Sequence, residues 1–287
     1  MKFMKMHGLG NDFVLFDSIS YDVDIPPHLI IHICDRHYGI GSDGVILLER
    51  SDKADFSMRF FNPEGSEAEM CGNGIRCLVK YVFDRRYTDK INIDIETKAG
   101  IKKTKVHLKD GIVSKVTVNM GRTTFKADEI PVIGFEGEVV DRQLKIGTDE
   151  LTFTALSVGN PHCVIFVDEM KPEFFRKIAP KIEHYKIFPN RTNVEFVKIM
   201  NREEIKVFVW ERGAGETLSS GTCSTSAVAA SIKTKRVFKN VNAVLPGGTI
   251  HFEMDEDKNI YMTAGAEEVF SGSLSESWLL SQYERDC

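Results

Sequence analysis

The sequence has no long apolar run. Its hydrophobic stretches fall well short of the roughly 20 residues that a bilayer-spanning helix needs, which argues against a helical membrane protein. Met1-Lys2-Phe3-Met4 passes straight into alternating polar and apolar positions without an apolar core or a small-residue cleavage site, so no signal peptide is expected. Positive charge is not in excess: 37 Lys and Arg against 42 Asp and Glu leave a net charge of −5. No basic stripe interleaves with aromatics, and Lys102-Lys103-Thr104-Lys105 reads as the wet face of a strand. Neither nucleic acid nor membrane is expected as a partner, and no low-complexity segment interrupts the chain.

Several chemical signatures are lacking too. The six cysteines (Cys34, Cys71, Cys77, Cys163, Cys223 and Cys287) form no Cys-x-x-Cys pair, and without a secretory signal reduced thiols are the default. Cys34 and His37 can share a helix face, but two ligands without partners give no metal site. Gly8-Leu9-Gly10 and Gly39-Ile40-Gly41 lack the strand-and-helix setting of a dinucleotide fingerprint, and no lysine stands out as a pyridoxal partner. The expectation is a protein without metal or organic cofactor.

What the chain does have is a statement made twice. It is 287 residues long, 42% hydrophobic and 28% charged, enough for two soluble domains with separate cores. Gly10-Asn11 recurs as Gly159-Asn160, Asn62 finds a counterpart in Glu211, and Cys71-Gly72-Asn73-Gly74 lines up with Ser220-Gly221-Thr222-Cys223, each 149 residues on. One register held across several short motifs argues for a duplicated half-molecule and a site shared by the halves. Two related halves can present two groups to opposite faces of one atom, the geometry that inverts a stereocentre.

Periodicity gives the elements. Strands are predicted at 1–7, 12–17, 45–49, 57–61, 91–97, 101–108 and 112–119, with helices from Pro26-Pro27 to about His37 and from Gly72 onward. The second half repeats this order, with strands at 151–158, 163–167, 194–199, 205–210, 241–245, 249–254 and 259–263 and helices at 172–183 and 221–235. The hairpin turn at Lys109-Asp110 maps onto Lys258-Asn259 at the same offset. The fold class is α+β, two pseudo-symmetric domains, each a mostly antiparallel curved sheet around one central helix. The boundary is placed at 119/120, with the segment after about residue 265 a candidate to return to the first domain. Residues 274–287 form a partly apolar tail without an assigned place.

Cys71 is the centre of interest. It directly precedes a helix, where unpaired backbone N–H groups and the positive end of the helix dipole favour a thiolate. The same N–H groups make a carboxylate site that glycines leave open to close approach. On its own Cys71 reads first as a buried structural cysteine, a common state for a free thiol. A second helix start at Gly221-Thr222 offers a second set of donors, so that two helix N-termini can grip one α-carboxylate and stabilise charge developing at its α-carbon.

Gly8-Leu9-Gly10-Asn11-Asp12-Phe13, the run from Asn62 to Gly74, Gly159-Asn160-Pro161-His162, Thr192-Asn193-Val194-Glu195-Phe196 and Glu211-Arg212-Gly213-Ala214-Gly215-Glu216-Thr217 resemble the diaminopimelate epimerase family. The likeness covers nearly the whole chain apart from its last dozen or so residues. It implies a cytoplasmic homodimer that interconverts LL- and meso-diaminopimelate with two cysteines and no cofactor, in lysine and peptidoglycan precursor synthesis. By the same resemblance, Cys71 and the residue at 220 exchange the proton, and His162 and Glu211 tune them. Asn11, Asn62, Asn160 and Asn193 supply amides, Glu211 and Arg212 meet the charged ends of the substrate, and Gly72, Asn73, Gly221 and Thr222 hold the reacting carboxylate.

The chain departs from the family at one decisive place. The second cysteine position is Ser220, a far poorer acid or base near neutrality than a thiol with a free pKa of about 8.5. Cys223 lies almost a helix turn further on and cannot simply take its place. Four readings stay open: a substitution introduced to trap a substrate complex, a native serine working with a water or neighbour, one-base chemistry driven by Cys71 alone in a same-fold racemase, isomerase or lyase for another amino acid, or a relative that binds without turnover. Gly44, level with Asn193, means that the first half lacks an amide there.

Overall fold

A computed structural model describes every residue except 22, 24, 286 and 287, so the expectation for Cys287 lies outside the described residues. The chain divides into two compact units, Met1–Val118 with Ala264–Cys287, and Asn119–Thr263.

In the first unit, β1 (Lys2–Gly8) and β2 (Asn11–Asp17) form a hairpin through Leu9 and Gly10, both at positive φ. Helix α1 (Pro27–Cys34) leads to β3 (Val45–Glu49), β4 (Phe56–Phe61) and the two-residue β5 (Glu67–Ala68). Central helix α2 (Gly72–Asp84) follows, then β6 (Asn92–Thr97), β7 (Gly100–Lys109) and β8 (Ile112–Gly121). Among the described residues the pairing is mostly antiparallel, with parallel pairings where β2 meets β3 and β4 meets β6. Helix α2 packs against β1, β2, β3, β4 and β7, and nearly all its residues are buried.

The second unit holds β9 (Arg142–Ile146), β10 (Asp149–Ser157), β11 (Pro161–Phe166), α3 (Pro172–Glu183), β12 (Asn193–Asn201), β13 (Glu204–Glu211), β14 (Gly215–Thr217), central helix α4 (Gly221–Lys233), β15 (Asn240–Leu245), β16 (Gly248–Met254) and β17 (Ile260–Ala264). The chain then supplies β18 (Glu267–Ser273), antiparallel to β1, and α5 (Glu276–Arg285), both in the first unit. Trp278 and Leu279 of α5 join the core formed by Phe16, Leu29, Ile33 and Leu47.

The repeat holds at the level of strand register. Val14 faces Val45 as Cys163 faces Val194, and Val45 faces Phe61 as Val194 faces Trp210, every member 149 residues on. After the central helices the offset drops by one, because Asn92 faces Lys105 as Asn240 faces Glu253, 148 residues on. The hairpin correspondence at 109/258 is therefore corrected: the loop after α4 is one residue shorter than the loop after α2, and the later strands follow the new register.

Helix α1 also ends earlier than its apolar spacing predicts. Asp35 Oδ1 accepts from His37 N at 2.7 Å and from Tyr38 N at 2.8 Å, an Asx turn that competes with helix continuation. Strands β5, β9, β14 and β18 and helix α5 were not expected. Helix α4 shows why sequence period can be weak in a buried helix. Its interior carries Ser224, Thr225 and Ser231, whose hydroxyls donate to the carbonyls of Ser220, Gly221 and Ala227 one turn back, so these three are buried with their hydroxyls paired, while the Ser226 hydroxyl in the same helix has no partner.

Gly44 is glycine for steric reasons. A Cβ there would lie 2.6 Å from Cε2 of Phe60 and 2.7 Å from the Phe61 carbonyl oxygen. Gly44→Ala is expected to cost about 1–3 kcal/mol, the usual range for forcing extra atoms into a packed interior. Denaturant unfolding measures it, and an unchanged midpoint would contradict this packing.

Candidate active site

Each unit builds its half of the predicted machinery at the head of its central helix. Cys71 is the N-cap of α2, with extended backbone (φ −133, ψ 113), and its Sγ accepts from Gly74 N at 3.4 Å. Ser220 is the N-cap of α4 in nearly the same conformation (φ −138, ψ 127), and its Oγ accepts from Cys223 N at 3.5 Å. The side chain that the sequence marks as reactive is thus also the cap of the helix. The first-turn N–H groups of Gly72-Asn73 and Gly221-Thr222 stand beside it, among the donors that an α-helix leaves without intrahelical partners. A Cβ on Gly74 would sit 3.6 Å from the Cys71 sulfur, so glycine keeps that flank open.

Around the α2 head, Asn73 Nδ2 donates to Asn11 Oδ1 at 2.9 Å, and Asn11 Nδ2 donates to Asp43 Oδ2 at 2.9 Å. Asp43 also accepts from the backbone of Asp12, and Arg36 bridges the two carboxylates at 2.7 Å each. Lys5 completes the cluster, bonding Asp12 and the Gly41 carbonyl. Burial alone would push the Asp12 carboxyl up, yet Arg36 and Lys5 together hold it down at about 2. This ionic frame fixes the amide of Asn11 against the helix head. Asn62, by contrast, turns into its own loop, donating from Nδ2 to Ser66 Oγ at 2.9 Å.

Arg76 is the cation that sequence reading missed. It is wholly buried on α2, five residues past Cys71, donating to the carbonyls of Gly265 at 3.2 Å and Gly72 at 3.5 Å. Burial draws its pKa down to about 10, a fall opposed by the attraction of Cys77 and Cys71, so it stays cationic at neutral pH. Its counterpart on α4 is Thr225.

The α4 head is acidic instead. Glu211, at the end of β13, accepts from Ser220 Oγ at 2.9 Å and from Thr217 Oγ1 at 2.7 Å. His162 and Glu195 are fully buried on the neighbouring strands β11 and β12, with Nδ1 and Oε1 at 2.6 Å, and His162 Nε2 faces Asn160 Oδ1 at 2.9 Å. Asn193 donates to the Pro161 carbonyl at 3.0 Å and accepts from the Arg212 backbone at 2.9 Å. The Arg212 side chain is exposed, with Nη1 on the Asn190 carbonyl at 3.0 Å.

The other thiols differ from Cys71. Burial pushes Cys77 up to about 12 and raises Cys34; it raises Cys163 and Cys223 well above the ordinary thiol value, with Glu195 adding to both. All five described cysteines are free, and Cys71 alone among them is partly exposed. Cys223, His162 and Glu195 place ligand atoms within 4.8 Å of one another. Tetrahedral zinc at ~2.0–2.3 Å from each ligand keeps ligand atoms roughly 3.4 Å apart. The 2.6 Å contact between His162 and Glu195 is a hydrogen bond rather than a coordination edge.

The profile of the family described as diaminopimelate epimerase matches residues 3–126 and 154–269. A diaminopimelate epimerase of Agathobacter rectalis is 45% identical over 282 residues, covering 96% of this chain and 99% of the relative. One of Methanococcus maripaludis is 45% identical over 275 residues, with the same coverage. The chain belongs to the diaminopimelate epimerase family. Among solved structures, a hydroxyproline epimerase of Agrobacterium vitis superposes with a TM-score of 0.69 at 16% identity, over 95% of this chain and 91% of the other. A Bacillus anthracis protein of the PhzF family gives 0.69 at 18% identity, over 96% and 99%. At that identity the two structures show a common fold, and the α+β class with paired sheets around central helices is that of the epimerase family.

For this family member the ionic frame beside Asn11 has a measurable consequence. The Asp12 carboxyl is held below its unfolded value, so its contribution to stability is present above about pH 4 and is lost as pH falls toward 2. Asp12→Asn is expected to lower stability at pH 7 by about 2 kcal/mol and to flatten the acid limb of the stability profile. Chemical denaturation across pH 2–7 tests this, and equal stability of the two proteins at pH 7 would contradict the ionic frame.

Proposed function

We propose that this chain is a cofactor-independent epimerase that interconverts LL- and meso-diaminopimelate by removing and returning the proton at an α-carbon. The observation that carries the reading is the pair of helix heads. Each is capped by the side chain expected to move a proton, beside backbone donors suited to a carboxylate. An α-proton becomes removable only if the enolate-like charge on the adjoining carboxylate is stabilised as it forms, and helix-terminal N–H groups supply that without reorganisation. The sequence resemblance adds Asn11, Asn62, Asn160, Asn193, Glu211 and Arg212 as the groups that orient an amino acid with two charged ends. A cytoplasmic homodimer, the duplicated halves as two domains, and a place in lysine and peptidoglycan precursor synthesis belong to the same reading. Among the described residues no helix is long and apolar enough to cross a membrane.

Cys71, with Arg76 buried behind it, is the base. At the α4 head Ser220 donates its hydroxyl proton toward Glu211, so this pair has to supply what a second thiol supplies elsewhere in the family. A hydroxyl is the weaker acid, and one-base chemistry, exchange without inversion, is the second reading that Ser220 favours. Incubation with meso-diaminopimelate in D₂O separates the two. We expect α-deuterium in the wild type, and an inversion rate that rises on the order of 10²-fold or more in Ser220→Cys. Deuterium without change of configuration in both proteins would establish the one-base reading, and no deuterium in either would overturn both.

A further inference from the structure

The two halves share a backbone, so each position can be compared with its counterpart, and one buried trio changes character completely. His162, Glu195 and Cys223 correspond, 149 residues back, to Phe13, Ile46 and Gly74. All three pairs sit in matching registers: His162 lies opposite Asn193 on parallel strands as Val14 lies opposite Val45 one step along, and Cys223 and Gly74 hold the third position of their helices. In the first half the place is wholly apolar, with Phe13 and Ile46 fully buried and Ile46 Cδ1 3.3 Å from where a Gly74 Cβ would stand. The fold therefore does not need polar groups there. Burying a carboxylate and an imidazole is unfavourable unless each finds a partner, so a pair found only in the half that carries Ser220 and Glu211 points to chemistry rather than packing.

The hydrogen bonds show what that chemistry is. Both ring nitrogens of His162 face oxygen acceptors, Glu195 Oε1 at Nδ1 and Asn160 Oδ1 at Nε2. Satisfying both needs two protons on the His162–Glu195 pair, held either as imidazolium with carboxylate or as neutral imidazole with carboxylic acid. Either form is neutral overall, which suits a site with no exposure to solvent. In either form the proton at the Asn160 end, on Nε2, stays in place.

We propose that Glu195 is a positioning residue: it locks the His162 ring through Nδ1 and keeps a proton on Nε2, at the end of the ring that faces Asn160. This deepens the epimerase reading and rests on it, since His162 is there one of the groups that tune proton transfer. Glu195 touches no substrate and acts only through His162. The Cys223 thiol donates a further hydrogen bond to the Glu195 carboxyl group.

The test uses the full-length protein. In ¹H–¹⁵N NMR the wild type should show a slowly exchanging, low-field ring proton that is lost in both Glu195→Gln and His162→Gln. Glu195→Gln keeps size and polarity but cannot share the second proton, so kcat for α-deuterium incorporation should fall on the order of 10–100-fold with KM unchanged. Replacing the whole trio by its first-half counterparts (His162→Phe, Glu195→Ile, Cys223→Gly) should leave a folded protein with wild-type secondary structure and no such resonance. A Glu195→Gln protein with wild-type kcat, or a wild type without the low-field proton, would overturn the proposal. A wild type that exchanges no α-hydrogen overturns the functional reading instead, and the resonance then decides the pair by itself.

Discussion

The interaction on which the rest depends is the N-cap at the head of each central helix. A helix that starts inside a domain must find acceptors for its first N–H groups, and here the side chain of residue 71 or 220 provides one. That choice places a sulfur or oxygen, with fixed extended backbone, beside the other N–H groups of the first turn. Serine is among the strongest N-caps, so Ser220 keeps α4 and the geometry of its head as well as a cysteine would.

Given two similar heads, electrostatics makes them different. The α2 head has a buried arginine behind it and an ionic frame of Lys5, Asp12, Arg36 and Asp43 beside it. The α4 head has Glu211 on its cap and the His162–Glu195 pair close by. A positive setting favours an anionic base and a carboxylate-lined one favours groups that hold protons, so the duplicated scaffold has been given opposite polarity in its two copies. Gly44 and Asn193 tell the same story sterically, for the Phe60 ring leaves no room at the first position for the amide present at the second.

Much of this was legible in the sequence, and for physical reasons. The 149-residue offset survives because central helices, cap residues and strand registers are rigidly linked, and a one-residue slip would send every strand side chain to the wrong face. It fails after α4, where a loop can lose a residue cheaply. The helix starts at Gly72 and Gly221 were readable because caps and Gly/Asn turns leave local marks. Arg76 was not, since a buried arginine on an apolar helix face looks like any exposed one until the partners Gly72 and Gly265 are seen together. Glu195 stands inside the Thr192–Phe196 motif, but its role depends on His162, 33 residues away on the neighbouring strand. Strand β18 and helix α5 carry weak periodicity and gain their stability from β1 and from the core around Leu29 and Ile33.

We infer that the α2 head makes Cys71 the reactive thiol of this chain. Timed alkylation at mild pH with peptide mapping tests this. Cys71 should be modified well before Cys34, Cys77, Cys163 and Cys223, whose thiols are buried, and saturating meso-diaminopimelate should slow its labelling. A protein in which Cys77 or Cys223 is labelled while Cys71 stays intact, with a rate indifferent to the amino acid, would contradict the account.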